Sequence, residues 1–149
     1  MENENTILFY EGKWYMFSNF ASFAVDWQGQ RWMTSEHAYQ AAKFKSERIR
    51  SFISKAPSAY SAKMYAKRFS RHIRPDWESD KLRVMLEIVR RKLEQHEFIQ
   101  QKLRESGEMQ IVEDSPKDSF WGRGPDWKGE NHLGRIWMDL RIEYFEPIQ

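Results

Sequence analysis

The chain reads as a mainly helical α+β domain with a short N-terminal hairpin and strands. Three observations predict this class. Apolar residues recur at helical spacing through much of the chain after residue 34. Residues able to cap helices stand at the start of several of these stretches, at Thr34 or Ser35, Ser58 and Asn131. Short β-favouring runs fall before residue 34 and again just before residue 114. No repeat, low-complexity segment or linker divides the 149 residues, so one domain over 1–149 is expected.

The elements follow in order. Ile7-Leu8-Phe9-Tyr10 is apolar and β-favouring and predicts a strand. After Gly12 comes Trp14-Tyr15-Met16-Phe17-Ser18-Asn19-Phe20, aromatic with a polar Ser-Asn pair inside. Residues 23–26 and 31–33 flank Gln28-Gly29-Gln30, the pattern of a β-hairpin. A capped helix then runs from Thr34 or Ser35 to near Lys45. A second helix over 47–54 stops before Pro57, because the residue preceding proline disfavours the α region. The spacing over 58–69 predicts a helix capped by Ser58, with Ala62, Tyr65, Ala66 and Phe69 inward. Residues 70–77 show no apolar periodicity. A long helix starts at Asp76 or Trp77 and places Leu82, Met85, Leu86, Val89 and Leu93 on one stripe. The next helix holds Phe98, Ile99 and Leu103 and stops at Gly107. Met109-Gln110-Ile111-Val112-Glu113 predicts a strand, and 114–130 a loop whose length points to function. The last helix, 131–144, turns Leu133, Ile136, Trp137 and Leu140 inward.

Composition excludes several classes. The 24 Lys and Arg nearly balance 22 Asp and Glu, and a net charge of +2 provides no basic field for general nucleic-acid binding. With no cysteine there is no disulfide, thiolate metal site or Cys nucleophile, which suits a reducing cytoplasm. No apolar run approaches the ~20 residues of a membrane span, and Met1-Glu2-Asn3-Glu4-Asn5 is no signal peptide. A soluble, cytoplasmic protein without membrane association is expected. His37, His72, His96 and His132 lack metal-ligand spacing, and neither a phosphate-cradling glycine loop nor a serine nucleophile elbow occurs. No metal or cofactor is expected.

Four places concentrate chemistry. On a helix from Ser35, Glu36, Gln40 and Lys43 fall at i, i+4 and i+7 and share one face. Spacing alone also fits a solvated face. Phe17-Ser18-Asn19-Phe20 sets an amide between two rings, for a turn or for a substrate contact. Trp77 follows Arg71-His72-Arg74, either a solvated linker or a place for a phosphate and a planar base. Asp118 precedes Trp121 by three residues, and Gly122 and Gly124 permit close backbone approach. Carboxylates with aromatic walls suit glycoside-type cleavage, where an oxocarbenium-like transition state needs nearby negative charge and the leaving group needs a proton.

In chain order, Phe-Ser-Asn-Phe at 17–20 is followed by Thr-Ser-Glu-His-x-Tyr-Gln-x-x-Lys-Phe at 34–44 and Trp77-Glu78. Asp118-x-x-Trp121-Gly122 comes next, then Asn131-x-Leu133-Gly134 with Met138-x-Leu140-Arg141. This order resembles the NADAR superfamily, in particular its small YbiA-like N-glycosidases, roughly from Ile7 to Arg141. The resemblance implies a YbiA-like fold and cleavage of a ribosyl N-glycosidic bond. The substrate it implies is either ADP-ribose on guanine bases of DNA or the phosphoribosylamino-pyrimidine intermediates of riboflavin biosynthesis. It implies roles for Glu36, Trp77, Asp118 and Trp121, and one for Lys43.

The catalytic candidates are therefore Glu36, Lys43 and Asp118. The substrate-binding candidates are Phe17, Ser18, Asn19, Gln40, Trp77, Trp121, Gly122, Arg123 and Asn131. One carboxylate, ionised, would stabilise the anomeric carbon while the other protonates the leaving nitrogen or activates water. Lys43 either forms a Schiff base with a ring-opened ribose or acts as a point charge. Arg71, Arg74 and Arg123 are secondary candidates for phosphate. Ala38 replaces a bulkier aromatic of some relatives, which changes pocket shape without removing a reactive group. The expected partner is a ribosylated nucleobase or nucleotide, ADP-ribosylated DNA included, bound by a monomer. A non-catalytic ADP-ribose or nucleotide-binding module is the alternative.

Overall fold

Helix caps and one tight turn set most of the element boundaries. The computed structural model describes residues 5–145; the stretch 1–4, most of the segment read as no signal peptide, lies outside them. In order the elements are β1 (Thr6–Phe9), a 3-10 helix (Gly12–Phe17), β2 (Val25–Trp27), β3 (Gln30–Trp32), α1 (Ser35–Ala42) and α2 (Glu47–Ser54). Then come α3 (Ala59–Arg68), a 3-10 turn (Ser70–His72), α4 (Trp77–Gln95), α5 (Glu97–Glu105), β4 (Gln110–Glu113) and α6 (His132–Phe145). The mainly helical α+β class is borne out. Among the described residues, no helix is long and apolar enough to cross a membrane. These residues fall into two compact units, 19–95 and a discontinuous one of 5–18 with 96–145. Neither border carries a Pro/Gly/Ser-rich stretch, so composition alone does not reveal it.

In the 19–95 unit, Gln28 and Gly29 both have positive φ (52° and 74°), the backbone that a two-residue hairpin turn requires. β2 and β3 pair antiparallel, with Val25 opposite Trp32. Thr34, Ser46 and Ser58 cap α1, α2 and α3, accepting from the N–H groups of His37, Ile49 and Ser61. α1 packs against α2, α3 and α4, and all eight of its residues are buried. It ends at Ala42, three residues earlier than its composition suggests. There the Arg74 guanidinium donates to Ala42 O (3.0 Å), the Arg74 N–H donates to Lys43 O (2.8 Å), and Phe44 bridges to Ile73. The inward stripe of α3 is Ala59, Ala62 and Ala66, while Tyr65 and Phe69 lean on Phe52. On α4 Leu82 is exposed (41%) and Lys92 is fully buried, a correction to the apolar stripe. Leu82 shares the helical stripe of Met85, Val89 and Leu93 by spacing, but it stands in the N-terminal part of α4 and only the later three are buried.

In the other unit β1 pairs parallel with β4, Thr6 beside Gln110 through Phe9 beside Glu113. Alternation turns Ile7, Phe9 and Ile111 into the core and leaves Thr6, Leu8 and Val112 less buried on the opposite face. α6 packs on β4 with Gly134 at the contact, where an added Cβ would collide with Ile111 O. Leu133, Ile136, Trp137 and Leu140 are buried as expected. The Trp137 indole N–H donates to Phe17 O (3.0 Å), and the Phe17 ring packs among Phe9, Trp14 and Trp137.

Candidate active site

The first turn of α1 is built around a buried carboxylate. Asn19 O accepts the Glu36 N–H (3.1 Å), and Asn19 Oδ1 accepts the Ser35 hydroxyl (3.0 Å). The Asn19 amide N–H2 faces Met85 Sδ at 3.4 Å, so Asn19 joins α1 to α4 and sets where Glu36 points. His37, one residue on, is fully buried: Nε2 lies 3.0 Å from Ala56 O and Nδ1 2.8 Å from Thr34 Oγ1. A carbonyl only accepts, so Nε2 carries the proton and Thr34 donates to Nδ1. Burial lowers the His37 pKa, which keeps the ring neutral and fixes it as packing.

Glu36 and Gln40 are only 6% and 4% exposed, which rules out a solvated face for this stripe. Gln40 Nε2 donates to Glu36 Oε1 at 2.7 Å, a charge-assisted bond of about 1.5–3 kcal/mol. Carboxylates only accept, so the amide orientation follows, and Gln40 Oε1 is left buried with no hydrogen-bond partner. An unmet buried acceptor costs about 1–3 kcal/mol, which stability alone does not favour. It is a place for a hydroxyl or N–H donor from a ligand.

Lys43 sits at the end of the same stripe. Its Nζ lies 5.5 Å from the centre of the Tyr39 ring, and the Tyr39 ring lies 5.2 Å from that of Trp77. Burial pushes the Lys43 amine below the usual lysine range; the charges of Glu36 and Glu78 oppose this, and those of Lys63 and Lys81 add to it. Among the described residues Lys43 makes no ion pair. Arg74 covers Trp77 at 5.1 Å, with Nη1 on Asp76 (2.9 Å) and Nη2 on Asp80 (2.8 Å). With its Nε on Ala42 O as well, Arg74 is a structural clamp rather than a phosphate ligand. Arg71 is exposed on the 3-10 turn.

The 114–131 segment uses its polar groups differently. Asp118 Oδ1 accepts from the N–H groups of Phe120 (3.0 Å) and Trp121 (2.8 Å), folding the loop over itself. Residues 119–123 then hydrogen-bond backbone to backbone with residues 129–133. Trp121 is half-buried, edge-on to Phe120 and to His132. Arg123 donates to Asp114 Oδ1 (2.6 Å) and to Gly124 O (2.8 Å), and stacks 3.8 Å from the centre of the Trp127 ring. Asn131 stands directly before α6, but its amide does not bond into the helix. Oδ1 accepts from Glu113 N–H and Nδ2 donates to Ile111 O, both at 2.9 Å, so the capping expectation gives way to a splint along β4. Gly129 is held against Gly122 O and Arg123, where a Cβ would not fit. A cavity of about 640 Å³ opens here, floored by Thr6, Leu8 and Val112 and walled by Arg123, Trp127 and Asn131.

The structure thus gathers Asn19, Glu36, Gln40, Lys43 and Trp77 in the 19–95 unit. Asp118, Trp121, Gly122, Arg123 and Asn131 lie together in the other. Phe17 is core, and the Ser18 N–H closes the 3-10 helix on Tyr15 O. Sequence reasoning missed Tyr39. Tyr39 stood inside the 34–44 motif, four residues before Lys43, which is the signal that pairs them on one helix face.

Comparison with known proteins agrees with this architecture. The NADAR domain model matches residues 8–144. The N-glycosidase YbiA of Escherichia coli (strain K12) is 38% identical over 125 residues, covering 84% of this chain and 78% of that protein. A riboflavin biosynthesis protein of Vibrio vulnificus is 36% identical over 129 residues, 87% of this chain but 35% of the longer relative. The NMR structure of the E. coli protein YbiA superposes with a TM-score of 0.84 at 34% identity, covering 99% of this chain and 92% of that one. This chain belongs to the NADAR domain family.

Proposed function

We propose that this protein is a hydrolase of N-glycosyl bonds, cutting between a ribose anomeric carbon and a nitrogen of its leaving group. The single observation that carries the reading is the buried Glu36–Gln40 pair, with an unmet acceptor on Gln40 and the desolvated Lys43 amine on the same stripe. The names of the E. coli and Vibrio relatives support it. Gln40 Oε1 accepts a ribose hydroxyl, and Glu36 serves the proton transfers. The lowered pKa of Lys43 favours a covalent route. The glycosidic nitrogen opens the ribose to an iminium as the C1–O4′ bond breaks and O4′ takes a proton from solvent. The neutral Lys43 amine adds to C1, and the Glu36 carboxylate takes the proton from the new Lys43 ammonium and passes it to the departing nitrogen. The C1–N bond to the base breaks. Water then adds to the Lys43 imine, giving up a proton to Glu36, and collapse releases the sugar aldehyde and restores the amine. Trp77 and Tyr39 form the aromatic wall beside Lys43. Asp118 acts by shaping the loop that presents Trp121.

Between the two substrates, the name of the Vibrio relative speaks for phosphoribosylamino-pyrimidines over ADP-ribosyl guanine in DNA. Side-by-side incubation with both, reading released ribosyl product by mass, tests this. Release from the pyrimidine, abolished by Glu36→Gln, is expected. Release from the ADP-ribosylated guanine oligonucleotide alone reverses the choice of substrate. Binding without release from either overturns the enzyme reading in favour of a binding module.

A further inference from the structure

The net charge of +2, which argued against a basic field, is the sum of two unlike regions. Residues 19–95 carry 16 Lys and Arg against 8 Asp and Glu, a net of +8, and the rest of the chain carries 8 against 14, a net of −6. The excess is concentrated further. Between residues 45 and 72, over α2, α3 and the 3-10 turn after it, eight Lys and Arg meet one acid, Glu47. Arg50 turns inward to Ala41 O and to Gln28, but Arg48, Lys55, Lys63, Lys67, Arg68 and Arg71 are all exposed. None of these six makes an ion pair among the described residues. α4 shows the ordinary arrangement: its Lys81 and Arg83 meet Glu78, Asp80 and Glu87 at 2.6–3.0 Å. Lys63 and Lys67 stand one turn apart on α3, where like charges destabilise a helix, so helix stability alone does not favour them.

Rings are set among these cations. On α2, Arg48, Phe52 and Lys55 fall at i, i+4 and i+7 and share one face. Phe52 is 42% exposed and joins the two helices, its ring centre 4.7 Å from that of Tyr65 and 5.7 Å from that of Phe69. The Arg68 guanidinium lies 5.6 Å from the centre of the Tyr65 ring. α3 buries Ala59, Ala62 and Ala66, so Tyr60 and Met64 share its outer face with Lys63, Lys67 and Arg68. The Tyr60 ring is 63% exposed. Uncompensated cations interleaved with exposed rings suit a single nucleic-acid strand, which needs charge for its phosphates and flat faces for its unstacked bases. A membrane-surface helix instead turns a broad apolar face to the lipid, and α3 has already buried its apolar face in the protein. We infer that the outer face of α2 and α3, with the Ser70–His72 turn, is a docking surface for single-stranded nucleic acid. It stands apart from the N-glycosidase reading, which uses the outer face of neither helix.

Fluorescence anisotropy of a labelled single strand of mixed sequence with the whole protein, across a salt series, tests the inference. Binding at low salt that weakens log-linearly as salt rises is expected. Lys67→Ala combined with Arg68→Ala keeps a good helix former at both positions. It should weaken binding about tenfold and flatten the salt slope by about 1.4. Tyr60→Ala should weaken binding about tenfold and leave the slope unchanged, because a ring carries no charge. Lys117→Ala, at an exposed charge in the 114–131 loop, should have no effect. A duplex of the same sequence, its bases already paired and stacked, should bind more weakly than the single strand. No binding at low salt, binding indifferent to the α3 substitutions, or an equal loss in Lys117→Ala overturns the inference. So does a duplex held as tightly as the single strand, or capture by phosphatidylserine vesicles in place of the oligonucleotide. Turnover is not read, so these results stand whether or not the protein cuts an N-glycosyl bond.

Discussion

The α1 stripe and the 114–131 loop are both rich in polar side chains, yet they use them in opposite ways. In the loop the capacity goes inward, to its own backbone. Asp118 Oδ1 holds two N–H groups, Asn131 splints β4, and Arg123 is tied to Asp114 and Gly124 O. In the stripe capacity is left over: among the described residues, buried Gln40 Oε1 has no hydrogen-bond partner and the half-buried Lys43 amine no ion pair. Folding normally satisfies buried polar groups, so satisfied ones argue for scaffold and unsatisfied ones for a ligand. On the proposed function, the difference would separate residues that react from residues that hold, where the family motif alone ranks them together.

The largest effect that tests this contrast is at Glu36. Glu36→Gln keeps a side chain of similar size able to hydrogen-bond Gln40 but removes the proton donor and acceptor. A fall of about 10³-fold in kcat/KM with an unchanged circular dichroism spectrum is expected, within the range of general acid–base catalysis. Activity within threefold of the parent would remove Glu36 from the chemistry.

Lys43 comes next. Lys43→Ala should cost about 10²-fold, and borohydride added during turnover should leave a sugar-sized mass adduct on the parent protein only. The sign of the pH dependence follows from the lowered pKa. The nucleophile is the neutral amine, so the rate climbs with pH until the lowered value is passed and then levels below the ordinary lysine range. No adduct, with a rate flat in pH, would leave Lys43 an electrostatic role.

Asp118 separates scaffold from chemistry most sharply. Asparagine can still accept from Phe120 and Trp121 through Oδ1, whereas alanine cannot. Asp118→Asn should stay within about threefold of the parent and Asp118→Ala should lose about tenfold, with faster proteolysis of the loop. If Asn costs as much as Ala, the carboxylate charge is needed and the loop belongs with the stripe.

The smallest effect on activity is expected at Lys92, a buried lysine on α4 whose pKa desolvation pushes down to about 7. Between that value and the ordinary lysine pKa the unfolded chain holds a proton that the folded one lacks. Stability therefore rises with pH through this window, and the cost of burial is full below about 7. Lys92→Met should leave turnover unchanged and raise stability by about 1–4 kcal/mol at pH 6, in denaturant melts. The gain should shrink toward pH 10. A variant no more stable at pH 6 would mean that the ammonium is well compensated.

Much of the fold was legible because local chemistry decides it. Ser58 starts α3 and Gly107 follows the end of α5 where capping and positive φ require, and Gln28-Gly29 turns the hairpin with the inner strand ends within one residue of those expected. The boundary of α1 was less legible. Arg74, more than thirty residues away, captures its last carbonyls, and no local propensity encodes that. The 3-10 helix Gly12–Phe17 and the parallel pairing of β1 with β4 were hidden for related reasons. An aromatic run has no period to read, and a strand's partner a hundred residues away is chosen by packing.

By itself, the sequence determined the class of the fold, the helix starts, the absence of cysteine chemistry and the helical stripe that aligns Glu36, Gln40 and Lys43. These depend on residue type and on a 3.6-residue period, which every short segment carries within it. Only the tertiary structure decided that Glu36 and Gln40 are buried and that Gln40 keeps an unmet acceptor. Burial is a property of segments packed against one another. The same Glu-x-x-x-Gln-x-x-Lys on a solvated helix would be an ordinary surface; it becomes a candidate site where α1 is enclosed by its neighbours.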